Sequence, residues 1–400
     1  MKLIEKKTDK ENYSIVILNV LLWLVVFSVS TYVVYEMTTN SPEPYTSDYP
    51  AHISSAMSGT GYSVMEIIMK LLYMISGNTV LISIFIGVLT STTAVAVIAL
   101  VNYLSGIQGN STSVLFSYCS IFLASIFIPV LNPFWYAGQT ERGTISSFIT
   151  QPWHNSTYVG MRVFAIISVL IFLRCWDEAD EGIKLKDLIL LCIMLAITNL
   201  FKPNFIIAFG PAVFIMLFIE FIFFHRERWK EYAKIFAAGI ISMLPLVLQY
   251  KMLFIGGNGG WQISTERFWA YIHQDGGIFV LLTNFLFPVI ITILAAVNDE
   301  NVQAKRSLVL AWIMELASLF ESVFLAETGD RANDGNFSWG IYCTTLILFI
   351  ICFAVLVRLK NDRNCKCKGV LTLAEVLLIM HTANGFMYFG NIFKGYSYLC

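Results

Sequence analysis

An aspartate and a histidine stand four residues apart in the segment S-D-Y-P-A-H-I, which begins at Ser47. Its Tyr-Pro pair is typical of a turn that leads into a helix, so Asp48 would lie at a helix N-terminus, where the helix dipole favours an ionised carboxylate. Such a carboxylate can act as a general base toward a hydroxyl group, while His52 orients it or contacts a phosphate. The alternative is that Asp48 only caps the helix.

A second segment, Q-P-W-H-N-S-T-Y, begins at Gln151 and precedes a long apolar run. Trp153 offers a flat ring for stacking, and His154 and Asn155 offer hydrogen-bond donors beside it. This combination suits a sugar ring or a pyrophosphate. The alternative is that tryptophan and histidine only anchor a helix at the membrane surface, where aromatic residues are common.

A lysine marks a break between two apolar runs in the segment N-L-F-K-P-N-F, which begins at Asn199. A charge at such depth is costly unless it faces a polar cavity or a partner. Pro203 follows Lys202 and frees backbone groups that only protein or water can satisfy. We therefore interpret Lys202 as a functional cation. The alternative is that its side chain extends to the membrane surface.

The segment E-T-G-D-R-A-N-D-G-N-F-S-W-G begins at Glu327 and combines charges with aromatic rings. Arg331 can bind a phosphate through two parallel hydrogen bonds, and acidic pairs here offer oxygen ligands to a divalent cation. Carboxylates beside Trp339 are also typical of carbohydrate subsites. Arg267, in a preceding outer loop, is a further candidate binding residue. A solvated loop whose charges pair with each other is the alternative.

Several charges fall within apolar runs. Glu66 and Lys70 are four residues apart, a spacing that predicts an ion pair on one helix face. Glu315 and Glu321 lie deeper, and one of them is a candidate proton or cation site. The cysteines do not form the paired pattern of a zinc site, so we predict no metal centre and no certain cofactor, with a divalent cation as an option.

These segments must be positioned by membrane helices. The 400 residues are 57% hydrophobic and only 13% charged, against about a quarter in soluble domains. The apolar runs reach the roughly 20 residues that a spanning helix needs. The sequence thus predicts an all-α, polytopic transmembrane helical bundle of about ten or eleven spans, with outer-loop helices. Candidate spans lie near 14–37, 78–104, 114–136, 158–174, 187–201, 204–224, 234–254, 277–297, 307–326, 340–357 and 370–390.

The distribution of lysine and arginine predicts the orientation of the bundle, because cytoplasmic loops retain these residues. Alternate loops are rich and poor in them, and the rich set includes the N-terminus. We therefore expect a multi-pass protein of the cell membrane with a cytoplasmic N-terminus and an extracytoplasmic active site. The whole chain, 1–400, forms one membrane domain, in which 1–254 is the catalytic-type module and 255–400 adds C-terminal spans.

The layout resembles the GT-C class of membrane glycosyltransferases, which have many spans and an essential acidic residue in the first outer loop. Asp48 in S-D-Y-P-A-H-I occupies that place, and the segments around His154, Lys202 and Trp339 are similar to landmarks of uncharacterised bacterial proteins allied to that class. The large outer domain of several members has no counterpart after the last span. Acceptor recognition would then come from loops.

The resemblance implies an inverting glycosyltransferase of the cell envelope that uses a polyprenyl-phosphate-linked sugar as donor and a glycan or lipid as acceptor. Asp48 would be the general base. Lys202, Arg267 or Arg331 would stabilise the leaving phosphate. Membrane lipid is a further partner, and no basic domain points to nucleic acid. The alternatives are a transporter or flippase of lipid-linked glycans, which would use Lys202, Glu315 and Glu321, and an O-antigen-type polymerase.

Overall fold

The structure is a computed structural model that describes residues 9–40, 47–121, 154–254, 260–266, 268–269, 277–298, 301–329, 335–362 and 365–393. Helices account for most of these residues, as the apolar runs predict, because a helix satisfies its own backbone hydrogen bonds in lipid. The helices are α1 (Asp9–Thr39), α2 (Tyr49–Ser58), α3 (Val64–Ser76), α4 (Val80–Ser105), α5 (Ser111–Cys119), α6 (Ser156–Asp177), α7 (Leu185–Phe201), α8 (Asn204–Ile219), α9 (Trp229–Ser242), α10 (Leu244–Phe254), α11 (Gly277–Asn298), α12 (Val302–Phe324), α13 (Trp339–Asn361) and α14 (Lys368–Phe393).

Within the described residues, seven helical segments are long and apolar enough to cross a membrane. This confirms an all-α, multi-pass bundle, while the predicted ten or eleven spans exceed the seven. Helices α7, α11 and α14 coincide with three further predicted spans, and most of the predicted span 114–136 lies outside the described residues. The seven segments are Tyr13–Thr39, Val80–Ser105, Ser156–Asp180, Asn204–Phe224, Arg226–Lys251, Val302–Phe324 and Asn336–Asn361.

Helix α13 forms the centre of the bundle, and nearly all its residues are buried. It packs against α4, α8, α11 and α12. Its side chains are apolar around the whole circumference, which is the pattern of a helix with no face toward water. Helix α1 lies at the periphery, where exposed apolar residues such as Val16 and Leu24 suit contact with lipid. Apolar side chains therefore fill the interior of the bundle, as they do in a soluble protein. Apolar side chains also cover much of its peripheral surface.

The chain runs back and forth between two ends of the bundle. At one end, the hydroxyl of Tyr103 donates to Asp177 (2.5 Å), and Arg306 pairs with Glu220 (2.9 Å). The first contact joins the C-termini of α4 and α6, and the second joins the start of α12 to the residue that directly follows α8. The basic residues of this end include Arg174, Lys184, Arg228, Arg306 and Lys360.

The opposite end contains the C-terminus of α7 and the N-termini of α6, α8 and α13, together with the short helices α2 and α3. A two-stranded antiparallel ribbon also lies here: β1 (Gly260–Ile263) pairs with β2 (Leu325–Thr328). This ribbon was not expected from the sequence. Because β1 precedes α11 and β2 follows α12, the pairing requires the two helices to form a hairpin that returns the chain to the same end.

Candidate functional site

Asp48 lies at the start of α2, as predicted, but its side chain does not cap the helix. Among the described residues it makes no cap hydrogen bond to the first turn of α2. Its Oδ1 instead lies 3.1 Å from His154 Nε2, and its Oδ2 accepts from Asn155 Nδ2 at 2.8 Å. Its backbone N–H donates to the carbonyl of His154 (3.1 Å). The cap interpretation is therefore wrong, and the carboxylate faces a segment that is distant in sequence.

The hydrogen-bond partners of the Asn155 side-chain amide allow only one orientation of its oxygen and nitrogen. As the N-cap of α6, its Oδ1 accepts from the backbone N–H of Tyr158 (3.1 Å) and from the hydroxyl of Thr157 (2.6 Å). A backbone N–H can only donate, so the Nδ2 group must face the other side. There it contacts both Asp48 and His52. One side chain thus begins a helix and positions the carboxylate.

The same reasoning fixes the tautomer of His52. Its Nε2 lies 3.1 Å from Asn155 Nδ2, which is a donor, so Nε2 is assigned as the acceptor. The proton then resides on Nδ1 and is donated to Glu66 Oε1 (3.0 Å). The second oxygen of Glu66 accepts from the backbone N–H of Ser63 (2.9 Å), completing a capping box at the start of α3.

Glu66 is the site residue that the sequence analysis missed. The predicted ion pair between Glu66 and Lys70 is wrong, because both oxygens of Glu66 are used by His52 and Ser63. Their hydrogen bonds outweigh the desolvation of the buried carboxylate, so the pKa of Glu66 is lowered. The pattern S-x-x-E at 63–66 was the available signal, since it is typical of a helix start rather than of an ion pair along the helix.

The carboxylate of Asp48 is ionised and accessible. Partial burial acts to raise its pKa, but the hydrogen bonds from His154 and Asn155 outweigh this effect and hold the pKa well below its usual range. The side chain is still 39% exposed. His154 Nδ1 is buried and has no hydrogen-bond partner among the described residues. A polar ligand could therefore approach Asp48 from outside without first removing a proton from it.

Lys202 lies at the break between α7 and α8 and is only 1% exposed, so the surface-reaching alternative is wrong. Its Nζ contacts the hydroxyl of Thr157 (3.3 Å) and lies 5.0 Å from the centre of the Trp339 ring. The same ring is nearly parallel to that of His154, with centroids 6.2 Å apart. Trp339 thus joins the cation of Lys202 to the histidine that holds Asp48.

Glu327 lies in β2, beside this cluster rather than in it. One of its oxygens accepts from Asn336 Nδ2 (2.6 Å), and the carbonyl of Asn336 accepts from Asn204 Nδ2 (2.7 Å). Asn204 begins α8, two residues after Lys202. The segment that starts at Glu327 is therefore tied to the α7–α8 break. It contributes Trp339 directly and Glu327 indirectly.

An apolar cavity of about 400 Å³ opens between α7, α8 and α9. Met243 and Ile206 line one part of it, and both lie near the α7–α8 break. The carbonyl of Ser242, next to Met243, accepts from Asn199 Nδ2 (2.8 Å), which ties this part of the cavity to the last turn of α7 before Lys202. The cavity is thus an apolar groove whose lining includes Ile206, four residues after the buried Lys202.

The structure brings together six predicted site residues from four segments: Asp48, His52, His154, Asn155, Lys202 and Trp339. Glu327 lies outside this cluster and is connected to the start of α8 through Asn336. Trp153, Arg267 and Arg331 lie outside the described residues. In the described part of the chain, no group of three or more His, Cys, Asp or Glu residues is suited to a metal ion. Trp339 belongs to the predicted C-terminal part, 255–400, although it contacts residues of 1–254.

No protein-family model matches the chain, and no curated protein matches it significantly.

Proposed function

We propose that this chain is an inverting membrane glycosyltransferase of the GT-C type, which transfers a sugar from a polyprenyl-phosphate donor to a hydroxyl acceptor. The observation that carries the proposal is the cluster around Asp48. An ionised, partly exposed carboxylate, two histidines, an aromatic ring and a buried lysine meet there from four separate segments. Acid–base, stacking and phosphate-binding groups are what such a transfer needs.

In the proposed reaction the acceptor hydroxyl attacks the anomeric carbon of the donor sugar. The bond from that carbon to the phosphate oxygen breaks as the bond to the acceptor oxygen forms, with inversion. Asp48 takes the hydroxyl proton, and the lipid phosphate leaves with the bonding electrons. Lys202 is the cation next to the leaving phosphate, where negative charge develops and where a fixed positive charge has the greatest effect.

The lowered pKa of Asp48 bears on this role. A carboxylate held by His154 and Asn155 is ionised at neutral pH but is a weak base. A donor phosphate that accepts the His154 N–H would remove one of the bonds that weaken it. Donor binding would thereby raise the basicity of Asp48 just when the acceptor arrives. This predicts ordered binding, with the donor first.

The apolar groove supports a lipid-linked donor. It begins near the α7–α8 break and is lined by side chains of α7, α8 and α9 that include Leu195, Ile206 and Phe236. A phosphate at Lys202 would leave the lipid chain free to enter this groove. Exposed apolar residues on its rim, such as Ile240 and Met243, keep it accessible from the lipid phase. The basic residues at the opposite end favour an extracytoplasmic site.

The test is sugar transfer by the purified full-length chain in nanodiscs with a panel of polyprenyl-phosphate sugars. Replacing Asp48 with asparagine is expected to lower transfer about 10²–10⁴-fold, because the acceptor loses its base, while donor binding persists. Asp180→Asn is the matched control: this exposed carboxylate follows the other end of α6 and pairs with Arg228. Transfer by the Asp180 variant should equal that of the wild type.

Two outcomes would contradict the proposal. One is the absence of transfer with every donor in the panel. The other is equal transfer by the Asp48 and Asp180 variants.

A transporter or flippase of lipid-linked glycans is the second candidate, and one observation favours it. Glu321 is buried in α12 without a hydrogen-bond partner among the described residues, and buried acidic groups in membranes commonly bind coupling ions or protons. Movement of a fluorescent lipid-linked sugar across vesicles, without transfer and unaffected by Asp48→Asn, would favour this candidate over the enzyme.

A further inference from the structure

Helix α12 carries two buried glutamates in contrasting environments. Glu315 is fully satisfied: its Oε1 accepts from Thr345 Oγ1 and its Oε2 from Thr344 Oγ1, both at 2.6 Å. Glu321 is 3% exposed, yet neither of its oxygens has a hydrogen-bond partner among the described residues. A buried polar group without a partner is costly, so each such group needs an explanation.

A second unsatisfied group lies beside Glu321. Ser318 is on the same helix, three residues earlier, and is fully buried. In the described part of the chain its Oγ also has no hydrogen-bond partner. Residues three apart share one face of a helix, so both groups point to the same region. That region adjoins Asn204, at the start of α8, and Gly340, in the first turn of α13.

The space between these helices is lined by oxygen. A methyl group on residue 340 would have three oxygens as its nearest neighbours: Glu321 Oε2 at 3.2 Å, the carbonyl of Asn204 at 3.3 Å and Ser318 Oγ at 3.5 Å. A carboxylate, a hydroxyl and a backbone carbonyl therefore converge over the glycine. None of the three comes from the cluster around Asp48.

We propose that Glu321, Ser318 and the carbonyl of Asn204 form a binding site for a desolvated monovalent cation of the size of Na⁺. Hard cations prefer oxygen ligands, and carbonyl and carboxylate oxygens at helix breaks in membranes bind Na⁺. One carboxylate balances one positive charge. A divalent ion would need a second acidic group to balance its charge, whereas the three oxygens over Gly340 include only one carboxylate oxygen.

The lysine that is closest in sequence to Asn204 does not replace the ion. Lys202 is two residues before Asn204, but its Nζ contacts Thr157 Oγ1 and faces the Trp339 ring. No ion pair joins Lys202 to Glu321 among the described residues. A bound cation would link α8, α12 and α13 at the break that carries Lys202. The inference holds whether the chain is a transferase or a transporter.

The experiment measures thermal unfolding of the full-length chain in detergent micelles, at fixed pH and ionic strength, with NaCl exchanged for choline chloride. Because a ligand that binds only the folded state stabilises it, Na⁺ is expected to raise the Tm by several degrees in a saturable manner. Equilibrium binding of radioactive Na⁺ to the wild type is the second measurement, and saturation at one ion per chain is expected.

Three variants locate the site. Glu321→Gln should abolish the Na⁺-dependent shift in Tm because it removes the charge. Gly340→Ala should abolish it as well while keeping every ligand, because the methyl group fills the space. Glu315→Gln is the matched control, since this buried glutamate of the same helix is already satisfied. Its Na⁺-dependent shift should equal that of the wild type.

Three results would overturn the inference. The first is a Tm that is the same in Na⁺ and choline, together with no saturable Na⁺ binding. The second is a Na⁺ shift that persists in Glu321→Gln and Gly340→Ala. The third is a Tm that depends on pH but not on Na⁺ and loses that dependence in Glu321→Gln, which would make Glu321 a proton site.

Discussion

Asp48 and Glu321 are both carboxylates near the break between α7 and α8, but their surroundings differ. Asp48 is partly exposed and accepts hydrogen bonds from His154 and Asn155. Glu321 is buried, and the described residues provide it with no hydrogen bond. A buried carboxylate without partners is far less stable than one with donors, because nothing replaces the water it has lost.

The difference shows how one bundle can hold two kinds of acidic group. The cluster around Asp48 is a connected network, in which hydrogen bonds from His154 and Asn155 stabilise the ionised carboxylate before any ligand binds. The oxygens around Glu321 form an incomplete coordination shell that a ligand would complete. The first region presents its carboxylate at the protein surface, and the second holds its carboxylate in the interior.

Lys202 lies between the two regions, and its replacement should strongly lower sugar transfer. Lys202→Met is expected to lower sugar transfer about 10²–10³-fold, because the leaving phosphate loses its cation. The Tm should change by only a few degrees, since methionine fills similar apolar space without the cost of a buried charge. Transfer assays in nanodiscs and thermal unfolding measure the two effects.

Lys360→Met is the control, because Lys360 is an exposed partner of Glu375 at the other end of α13. A parallel loss of transfer and Tm in Lys202→Met would make Lys202 a structural residue. Equal transfer by the two lysine variants would remove it from the site.

Much of the fold follows from the sequence, because hydrophobic runs of the right length have few alternatives in a membrane. The break at Lys202 can also be predicted from the sequence, since proline ends a helix locally. The hydrogen bond between Asp48 and Asn155 cannot be predicted in this way, because it depends on how α2 packs against the start of α6. Motif spacing identified most members of the cluster, but only tertiary packing shows which atoms they share.

Glu66 shows a different limit. Its spacing from Lys70 favours an ion pair along the helix, whereas its spacing from Ser63 favours a capping box. The sequence-based prediction was the ion pair. Exposed ion pairs are weak, whereas a capping box satisfies backbone groups that have no other partner. The ribbon of β1 and β2 was missed for a related reason, because a four-residue strand has no periodicity that distinguishes it from a loop.

The role of Glu66 in holding His52 can be tested by a pair of variants. Glu66→Gln should lower the free energy of unfolding by about 1–3 kcal/mol, because one of the two donors, His52 Nδ1–H or Ser63 N–H, loses its acceptor. Lys70→Met should change it by less than about 0.5 kcal/mol. Reversible unfolding in mixed micelles provides the measurement. Equal losses in the two variants would instead support the ion pair that the spacing predicts.

The smallest expected effect concerns the pH dependence of Asp48. Because its folded-state pKa is lowered, the ionised form contributes stability that is present above the pKa of the unfolded state, about 3.9, and is lost as the pH falls toward the folded-state value. The difference in Tm between the wild type and Asp48→Asn should therefore be constant from pH 7 to about pH 5 and shrink below about pH 4. A difference that grows at low pH would contradict the lowered pKa.

The ribbon at the site end has a consequence for biogenesis. Strand β1 leaves the ribosome before α11 and α12, and its partner β2 follows them. β1 must therefore wait at the membrane surface until the α11–α12 hairpin has been inserted. Its pairing then brings Glu327, and with it the segment that leads to Trp339, to the end of the bundle where Lys202 already lies. Completion of the cluster is thus a late step of insertion, after both strands have emerged on the same side.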